Sequence, residues 1–324
     1  MYSQPELKEL VEKTIVNLTY NDEAEKLTSP VRYILSIGGK RIRPVIALMS
    51  CNLFSDQIDD AILPAAGIEV FHNFTLVHDD IMDQASVRRN LPTVHAKWNS
   101  NQAILSGDVM AFIANDCILQ TPPELLVKVF REFNKAAIEV CVGQQLDMDF
   151  EKVAYISHEE YLRMIELKTA VLLAASSRIG AIIGKAADRD SDLLYEFGKY
   201  LGLAFQIQDD LLDVYGNVNV FGKVSGGDIV TNKKTFLLIK ALELATGKTL
   251  KKLQEQLTLK EFDQELKINT VREIFDQLQI RTITESLANE YITMSLSRLE
   301  KVNADKERKN ELYQMATSMI GRNK

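Results

Sequence analysis

The chain has 324 residues, of which 46% are hydrophobic and 26% are charged, and its formal net charge is −7 at pH 7. These proportions are those of a soluble globular protein with a sizeable core, and the negative charge argues against a general nucleic-acid-binding surface. Gly (15) and Pro (7) are sparse for this length, which favours long helices over a β-sandwich or barrel. Length alone allows one large domain or two.

The cysteines and the chain start indicate the expected compartment. Three cysteines, Cys51, Cys117 and Cys141, show no metal-ligand spacing and leave one unpaired under full oxidation, which favours a reducing environment. Residues 1–12 lack an apolar run after a basic start, so no signal peptide is readable. The most membrane-like stretch, residues 170–184, is shorter than the roughly 20 residues that a spanning helix needs and contains Arg178. We expect a cytoplasmic protein with this stretch as a buried core helix and no transmembrane segment.

Apolar residues recur every three or four positions along most of the chain, which predicts helices. The predicted helices cover residues 5–18, 45–54, 59–82, 102–119, 124–142, 159–184 and 190–214. Pro122-Pro123 marks the clearest break, and residues 216–227 form a predicted loop with four glycines. Beyond residue 235, helical patterns alternate with polar connectors. With no tandem repeat or linker, we predict an all-α fold with one domain over residues 1–324, whose motif-bearing core covers about residues 38–235.

Two acidic clusters each follow an apolar helical stretch. The first contains Asp79, Asp80 and Asp83, and the second contains Asp209, Asp210 and Asp213. In a helix, residues 79 and 83 share one face with about 5–6 Å between Cβ atoms, and carboxylates at such spacing repel unless a cation or proton lies between them. One cluster alone is equally compatible with a solvated helix end. Two clusters after apolar stretches favour a metal site, and oxygen ligands of this kind suit Mg²⁺.

Basic residues flank the acidic segments in sequence. They are Lys40, Arg41, Arg43, Arg88, Arg89, Lys168, Lys223, Lys233 and Lys234. Arginine offers planar bidentate contacts to phosphate, whereas lysine acts as a compact point charge. Taken alone, the segment 38–44 is equally well an anion-binding loop at a helix start or a solvated basic cap. Beside metal-binding carboxylates, two separate basic groups indicate two diphosphate substrates.

Six motifs, in this order and spacing, resemble the trans-isoprenyl diphosphate synthases, or polyprenyl synthetases, such as the geranylgeranyl and farnesyl diphosphate synthases. They are Gly38-Gly39-Lys40-Arg41-Ile42-Arg43-Pro44, the first acidic cluster with Arg88-Arg89, Gly143-Gln144 with Asp147, Lys168-Thr169, Phe205-Gln206 before the second acidic cluster, and Asp228-Ile229 before Asn232-Lys233. The resemblance covers about residues 38–235. It implies an isoprenoid-synthase helical bundle around a central cavity, with the two acidic clusters facing each other, and it implies a homodimer.

The resemblance also implies roles for single residues. Asp79 and Asp83 would hold two Mg²⁺ ions on an allylic diphosphate, and Asp209 would help to bind a third ion when substrate is present. The allylic site would be lined by Arg88, Lys168, Thr169, Gln206, Lys223 and Lys233. Isopentenyl diphosphate would be held by Lys40, Arg43, His72 and Arg89.

The helical position of His72 supports its assignment independently. It lies seven residues before Asp79, about 20° away on an ideal wheel, and so shares the carboxylate face. His78, His95 and His158 have no such relation and are interpreted as structural residues.

The implied reaction joins isopentenyl diphosphate head to tail to an allylic diphosphate and gives a short-chain trans-prenyl diphosphate. Mg²⁺ and cationic side chains would stabilise charge on the departing pyrophosphate, which lowers the barrier to an allylic carbocation. The carbonyl of Lys168 or Thr169 and the amide oxygen of Gln206 would steady that cation. The pyrophosphate itself would take the final proton, so no protein general base is expected.

Product length is expected to depend on what blocks the cavity before the first acidic cluster. In this family a large aromatic residue five positions before the first aspartate, here Phe74, with a small residue at the next position, here Thr75, resembles C20-forming enzymes. An ideal wheel places Thr75 about 40° and Phe74 about 140° from Asp79, so geometry alone would select Thr75. Phe71 is a possible deeper barrier, and Phe71 and Phe74 are equally well ordinary core residues. We predict geranylgeranyl diphosphate as the product, with farnesyl diphosphate as the alternative.

Three other functions share parts of this pattern. A terpene cyclase would share an acidic motif but would not need the second diphosphate site implied by Lys40, Arg43 and Arg89. A noncatalytic subunit of a heteromeric synthase is disfavoured by the intact aspartates of both clusters. A divalent-cation buffer is disfavoured because the aspartates lack the glycine and the spaced oxygen ligands of a calcium loop.

Overall fold

The computed structural model describes residues 2–19, 24–216 and 226–320. The helices are α1 (Gln4–Val16), α2 (Glu25–Ser36), α3 (Ile42–Asn52), α4 (Asp59–Met82), α5 (Val94–Lys97), α6 (Ser100–Leu119), α7 (Pro123–Glu151), α8 (His158–Ile165), α9 (Val171–Ile183), α10 (Asp188–Tyr215), α11 (Gly227–Val230), α12 (Phe236–Leu244), α13 (Gly247–Thr258), α14 (Gln264–Gln277), α15 (Ile280–Lys301) and α16 (Lys306–Ile320). A π-helical segment, Glu166–Ala170, joins α8 to α9. The all-α fold class predicted from the sequence is confirmed.

A short β-hairpin follows α4. Strand β1 (Val87–Arg88) pairs antiparallel with β2 (Leu91–Pro92), and Arg89 and Asn90 between them both have positive φ. The sequence predicts a turn here but no strand, because strands of two residues leave no alternating pattern. The hairpin turns the chain back after the first acidic cluster.

The chain folds into two compact units. The first unit consists of residues 1–137, 172–198 and 298–314, and the second of residues 138–171, 199–297 and 315–324. The first acidic cluster, with the segment 38–44, belongs to the first unit. The second cluster, with Lys168-Thr169 and the segment 228–233, belongs to the second unit.

Close helix packing in the first unit depends on glycine. A Cβ on Gly67 of α4 would lie 2.9 Å from the carbonyl oxygen of Ala114 in α6, and a Cβ on Gly180 of α9 would lie 1.8 Å from the carbonyl oxygen of Ala47 in α3. A side chain at either position would force the helices apart. The predicted role of residues 170–184 as a buried core helix is confirmed for α9.

Two apolar clusters form the core of the second unit. One includes Ala170 and Ile207, which directly follow Thr169 and Gln206 in sequence. The other includes Ile229, within the segment 228–233, together with Leu211 and Ile268.

Two predicted helix boundaries are wrong. Helix α7 does not end at Val142 but continues through Gly143 to Glu151, and Gly143 serves packing there, because its Cβ would lie 2.2 Å from the amide nitrogen of Lys168. The predicted single helix over 159–184 is interrupted by the π-helical segment. A π-bulge keeps the same apolar residue types and is invisible to a periodicity argument.

Among the described residues one helix, α6, is long and apolar enough by composition to cross a membrane, with 39% of its apolar window buried. It is not the stretch that the sequence singled out. Since Gly107 and Ala114 of α6 pack against α4, we assign α6 to the packed body of the first unit.

Candidate active site

The first acidic cluster lies at the C-terminal end of α4. Asp80 is buried and accepts two-pronged hydrogen bonds from Arg88 of the hairpin, with Nε at 2.9 Å from Oδ2 and Nη2 at 2.8 Å from Oδ1. Asp83 is exposed and Asp79 partly exposed. The middle carboxylate is thus neutralised by a cation of the chain, while the outer two reach solvent.

Arg43 of α3 and His72, which lies two turns before Asp79 in α4, are both partly buried and lie in contact. Nη1 of Arg43 lies 3.2 Å from Nε2 of His72. Burial, followed by the charges of Arg43, Arg89 and Arg88, lowers the pKa of His72 well below its ordinary value. A neutral imidazole therefore accepts from the guanidinium. Within the described residues, Nε of Arg43 is buried without a hydrogen-bond partner, and a buried donor of this kind requires an acceptor.

Arg89 closes over the glycine pair that precedes α3. Its Nη1 donates to the carbonyl oxygen of Gly38, and a Cβ on Gly39 would lie 2.9 Å from that same nitrogen. Gly38 has φ +78°, a left-handed conformation that favours glycine. The structure therefore brings together Arg43, His72 and Arg89, which the sequence assigned to one diphosphate site. The fourth residue, Lys40, lies in the same loop and is exposed.

Arg41 has a different role from its two basic neighbours. Its buried guanidinium donates to Glu69 at 2.8 Å, to Glu12 at 2.9 Å and to the carbonyl oxygen of Leu35 at 2.6 Å. The sequence grouped Arg41 with the anion-binding cations, but its charge is balanced by these two carboxylates. Arg41 anchors the loop, and sequence reasoning missed this because both acidic partners are distant in the chain.

Two of the predicted product-length residues belong to an aromatic row on α4. The ring of Phe74 lies 5.4 Å from that of Phe71 and 4.8 Å from that of His78, and Phe71 lies 5.4 Å from Phe133. This row follows one stripe of α4. Thr75 lies about 100° from Phe74 around the helix, and its hydroxyl donates to the carbonyl oxygen of His72 at 2.8 Å.

In the second unit, Lys168 and Thr169 lie in the π-helical segment. Nζ of Lys168 donates to Asp147 at 2.6 Å. The motif that contains Gly143 and Asp147 therefore lies next to the motif Lys168-Thr169 in space. Gly143 lets α7 touch the segment, and Asp147, one turn further along α7, reaches the ammonium group. π-bulges of this kind often occur at functional sites.

A hydrogen-bond chain connects this segment to the second acidic cluster. The hydroxyl of Thr169 donates to Oε1 of Gln206 at 2.9 Å, and Nε2 of Gln206 donates to Asp210 at 2.9 Å. The hydroxyl of Tyr161 donates to the other oxygen of Asp210 at 2.6 Å. Burial raises the pKa of Asp210 to about 6, although the charge of Lys233 and these two hydrogen bonds oppose the rise. No sequence motif pointed to Tyr161.

The end of the second cluster fixes the segment that carries Asp228 and Lys233. A carboxylate oxygen of Asp213 accepts from the amide of Asp228 at 2.9 Å, and its carbonyl oxygen accepts from the amide of Gly226 at 2.7 Å. Burial raises the pKa of Asp228 to about 7; Lys233, whose Nζ lies 3.9 Å away, opposes this, and the aspartates of the cluster add to it. Asp209 is exposed.

Helix α14 supports this segment from the C-terminal part of the chain, for which the sequence suggested no role. Buried Lys267 donates to the carbonyl oxygen of Val230 at 3.1 Å and to Oδ1 of Asn232 at 2.8 Å. Ile268 packs against Gly226, where a Cβ would lie 2.8 Å from it. Lys223, assigned to the allylic site from the sequence, lies outside the described residues.

The chain belongs to the polyprenyl synthetase family, whose family model matches residues 24–275. This confirms the resemblance carried by its six motifs. It is 35% identical over 312 residues to a geranylgeranyl diphosphate synthase from Methanosarcina mazei, which covers 92% of this chain and 90% of that protein. It is 38% identical over 255 residues to a geranylfarnesyl diphosphate synthase from Natronomonas pharaonis, covering 73% of this chain and 74% of that protein.

A crystal structure of a geranylgeranyl pyrophosphate synthase has the same fold. It superposes with a TM-score of 0.94 at 38% sequence identity and covers 100% of both chains. Its similarity extends over the regions before residue 38 and after residue 235, where the sequence showed no motif.

Proposed function

We propose that the chain is a geranylgeranyl diphosphate synthase, a trans-prenyltransferase that joins isopentenyl diphosphate head to tail to an allylic diphosphate. Membership of the polyprenyl synthetase family and relatives of this name support both the enzyme class and the product. The observation that carries the proposal is the buried, unpartnered Nε of Arg43 beside neutral His72 and Arg89. It marks an anion site separate in sequence from the metal-binding carboxylates.

The first proposed site is that of isopentenyl diphosphate, formed by Lys40, Arg43, His72 and Arg89. Arg43 offers a buried donor that has no acceptor among the described residues, and His72 stays neutral so that it adds no further positive charge. Arg89 and the glycine pair bring a guanidinium and backbone into close contact. A diphosphate supplies the oxygen acceptors that this arrangement lacks.

The carboxylates fit Mg²⁺ by their chemistry. The ligands we propose, Asp79, Asp83 and Asp209, offer only oxygen, and two of them are exposed. Mg²⁺ is usually held by one or two carboxylates together with water and phosphate oxygens, and these residues could supply the carboxylates. When bound, the ions, three in our proposal, neutralise charge on the departing pyrophosphate.

The remaining allylic-site residues are proposed to bind the diphosphate and steady the cation. Arg88 uses Nε and Nη2 for Asp80, so Nη1 is the group we assign to the diphosphate, together with Lys168, Lys233 and Lys223. The carbonyl groups of the π-helical segment and the side chains of Thr169 and Gln206 place oxygen atoms where positive charge develops. Oriented dipoles of this kind stabilise a transition state because they need no reorganisation.

We also propose that the aromatic row sets the product length. Phe74 lies between Phe71 and His78 and is held on both sides, so it makes a firmer barrier than Thr75, a smaller residue. Farnesyl diphosphate remains the alternative product. The polar pair at Arg43 and His72 disfavours a terpene cyclase, which needs one diphosphate site.

The proposed homodimer would use α6. Leu105, Phe112 and Leu119 are spaced seven residues apart along one stripe of this helix and are 59%, 69% and 48% exposed. An apolar stripe of this kind on a helix surface is typical of a helix that packs against another. We propose that the same stripe of a second copy of the chain covers this one. We also propose that the enzyme has a single domain and works in the cytoplasm.

The activity is tested with purified protein, Mg²⁺, isopentenyl diphosphate and a C5, C10 or C15 allylic diphosphate. We expect pyrophosphate release and a C20 prenyl diphosphate on chromatography. A C15 end product would replace our proposal by its alternative, and no elongation with any primer would refute it. Phe112→Glu tests the dimer by sedimentation, with Ser100→Glu at the start of the same helix as a control.

A further inference from the structure

Tyr161 is a buried polar residue that no motif and no step of the proposed reaction uses. It is 1% exposed, and its ring lies 6.3 Å from that of Phe236 in an apolar cluster. Its hydroxyl ends in a contact of 2.6 Å with Asp210. A buried hydroxyl needs such a partner, and Asp210 in turn accepts a hydrogen bond from Gln206.

We infer that Tyr161 is a positioning residue that, through Asp210, fixes the orientation of the Gln206 side-chain amide and so supports carbocation formation. This inference rests on the proposed role of Gln206. All four groups of the chain, Tyr161, Asp210, Gln206 and Thr169, lie in the second unit.

The hydrogen-bond chain leaves Gln206 one orientation. Each oxygen of Asp210 receives one donor, Oδ2 from Tyr161 and Oδ1 from Nε2 of Gln206. A carboxylate accepts but does not donate, so the amide NH₂ must face Asp210 and the amide oxygen must face away. That oxygen lies 2.9 Å from the hydroxyl of Thr169, on the side of the π-helical segment.

Tyrosine fits this position because its neutral hydroxyl adds no charge to the one that Lys233 already places near Asp210. An arginine or lysine would hold the carboxylate more strongly, but it would also place positive charge beside a developing carbocation and oppose its formation. A phenol supplies one directed neutral donor. Its length also matters, because the ring spans the apolar layer and brings only the hydroxyl to Asp210.

The central test is Tyr161→Phe, which removes the hydroxyl and keeps the ring in its packing. With saturating substrates we expect kcat to fall about tenfold, while KM for isopentenyl diphosphate and for the allylic diphosphate each stay within about twofold. Tyr155→Phe is the matched control, because Tyr155 is exposed in the same unit, and it should behave like the unchanged protein.

A double-mutant cycle shows whether the effect passes through Asp210. Asp210→Asn removes the carboxylate that fixes the amide of Gln206. We therefore expect this variant alone to lower kcat with little change in either KM, and we expect little further loss of kcat when Tyr161→Phe is added. Independent positions would multiply their effects instead. Asp210→Asn also carries the test if Tyr161→Phe does not fold, since the same kcat-selective loss is then expected from it.

Three results would overturn the inference. They are an unchanged kcat in folded Tyr161→Phe, a parallel change in both KM values, and multiplicative losses in the cycle. Failure of the proposed function is a separate outcome, because it would show as absent elongation by the unchanged protein.

Discussion

The two acidic clusters have the same sequence pattern, but the chain compensates their middle carboxylates differently. In the first cluster, buried Asp80 is paired with the cationic guanidinium of Arg88. In the second, buried Asp210 receives neutral donors from Tyr161 and Gln206. The middle aspartate is therefore a structural residue in both, and Asp83 and Asp209, which are exposed, are the outer positions that we propose as metal ligands.

The surroundings of the clusters differ in the same way. Before Asp79, Phe71 and Phe74 belong to an aromatic row, and His72 contacts Arg43 of α3. The residue three positions before Asp209 is instead Gln206, which lies in a neutral hydrogen-bond chain. In our proposal the first region holds anions and limits a hydrocarbon chain. The second region would place the oxygen atoms of Gln206 and Thr169 near a carbocation, with neutral donors on Asp210 and the charge of Lys233 close to it.

The largest expected effect comes from breaking the ion pair of the first cluster. Asp80→Asn leaves the partly buried Arg88 without its charge partner, and we expect the free energy of unfolding to fall by about 3 kcal/mol. Asp210→Asn keeps an amide oxygen for Tyr161 and should cost about 1 kcal/mol. Urea denaturation of both variants measures the difference. Equal losses would show that the two clusters are compensated alike.

A second difference lies in the pH dependence of stability. Burial raises the pKa of Asp210 to about 6 and of Asp228 to about 7, against an ordinary value of 3.8. The folded state thus binds more protons than the unfolded state between these values. The stabilisation from these groups is complete below about pH 4 and is lost as pH rises through 6 to 7.

This dependence can be measured by urea denaturation from pH 4 to pH 8 without divalent metal. Asp228→Asn should flatten the loss of stability between pH 5 and pH 7, because amide does not titrate. Asp83→Asn in the first cluster is the matched control and should leave that slope in place. The same slope in Asp228→Asn and in the unchanged protein would contradict the prediction.

A smaller effect is expected from the support of the second region by α14. Lys267→Met keeps most of the buried volume but removes the donor to Val230 and Asn232, and it should cost about 1 kcal/mol. Lys233, which we propose binds the allylic diphosphate, directly follows Asn232. KM for the allylic diphosphate should therefore rise about threefold, with KM for isopentenyl diphosphate unchanged. Leu266→Ala, at an exposed neighbour on the same helix, serves as the control. A rise in both KM values would mean that α14 acts on the whole fold.

How far the sequence predicted this arrangement depends on the range of the interactions. Helix α4 was predicted with the observed ends, Asp59 and Met82, because its apolar pattern is local and unbroken. The convergence of Arg43, His72 and Arg89 was predicted from the family resemblance. The π-helical segment and the run of α7 through Gly143 were missed, because both depend on a contact between distant segments.

The partners of buried polar groups could not be predicted from the sequence either. The sequence pattern placed Arg41 among three anion-binding cations, because its partners Glu12 and Glu69 are distant in the chain. Tyr161 was not singled out from the sequence for the same reason, because its partner Asp210 is distant in the chain. Periodicity indicates which face is buried, but it does not indicate which buried polar atoms meet.

The smallest expected difference between the two regions is that one variant changes the product length and the other changes the reaction rate. Phe74→Ala opens the aromatic row between Phe71 and His78, so the growing chain can pass and the product should lengthen by at least one C5 unit. Because our proposal places ionisation at other residues, kcat for the first condensation should change by less than about twofold, an energy difference under about 0.4 kcal/mol. Tyr161→Phe should do the reverse and slow the reaction without altering the product. Thr75→Ala, about 100° from Phe74 around α4, is the matched control: if it lengthens the product and Phe74→Ala does not, the wheel geometry identifies the barrier and the aromatic row is ordinary core packing.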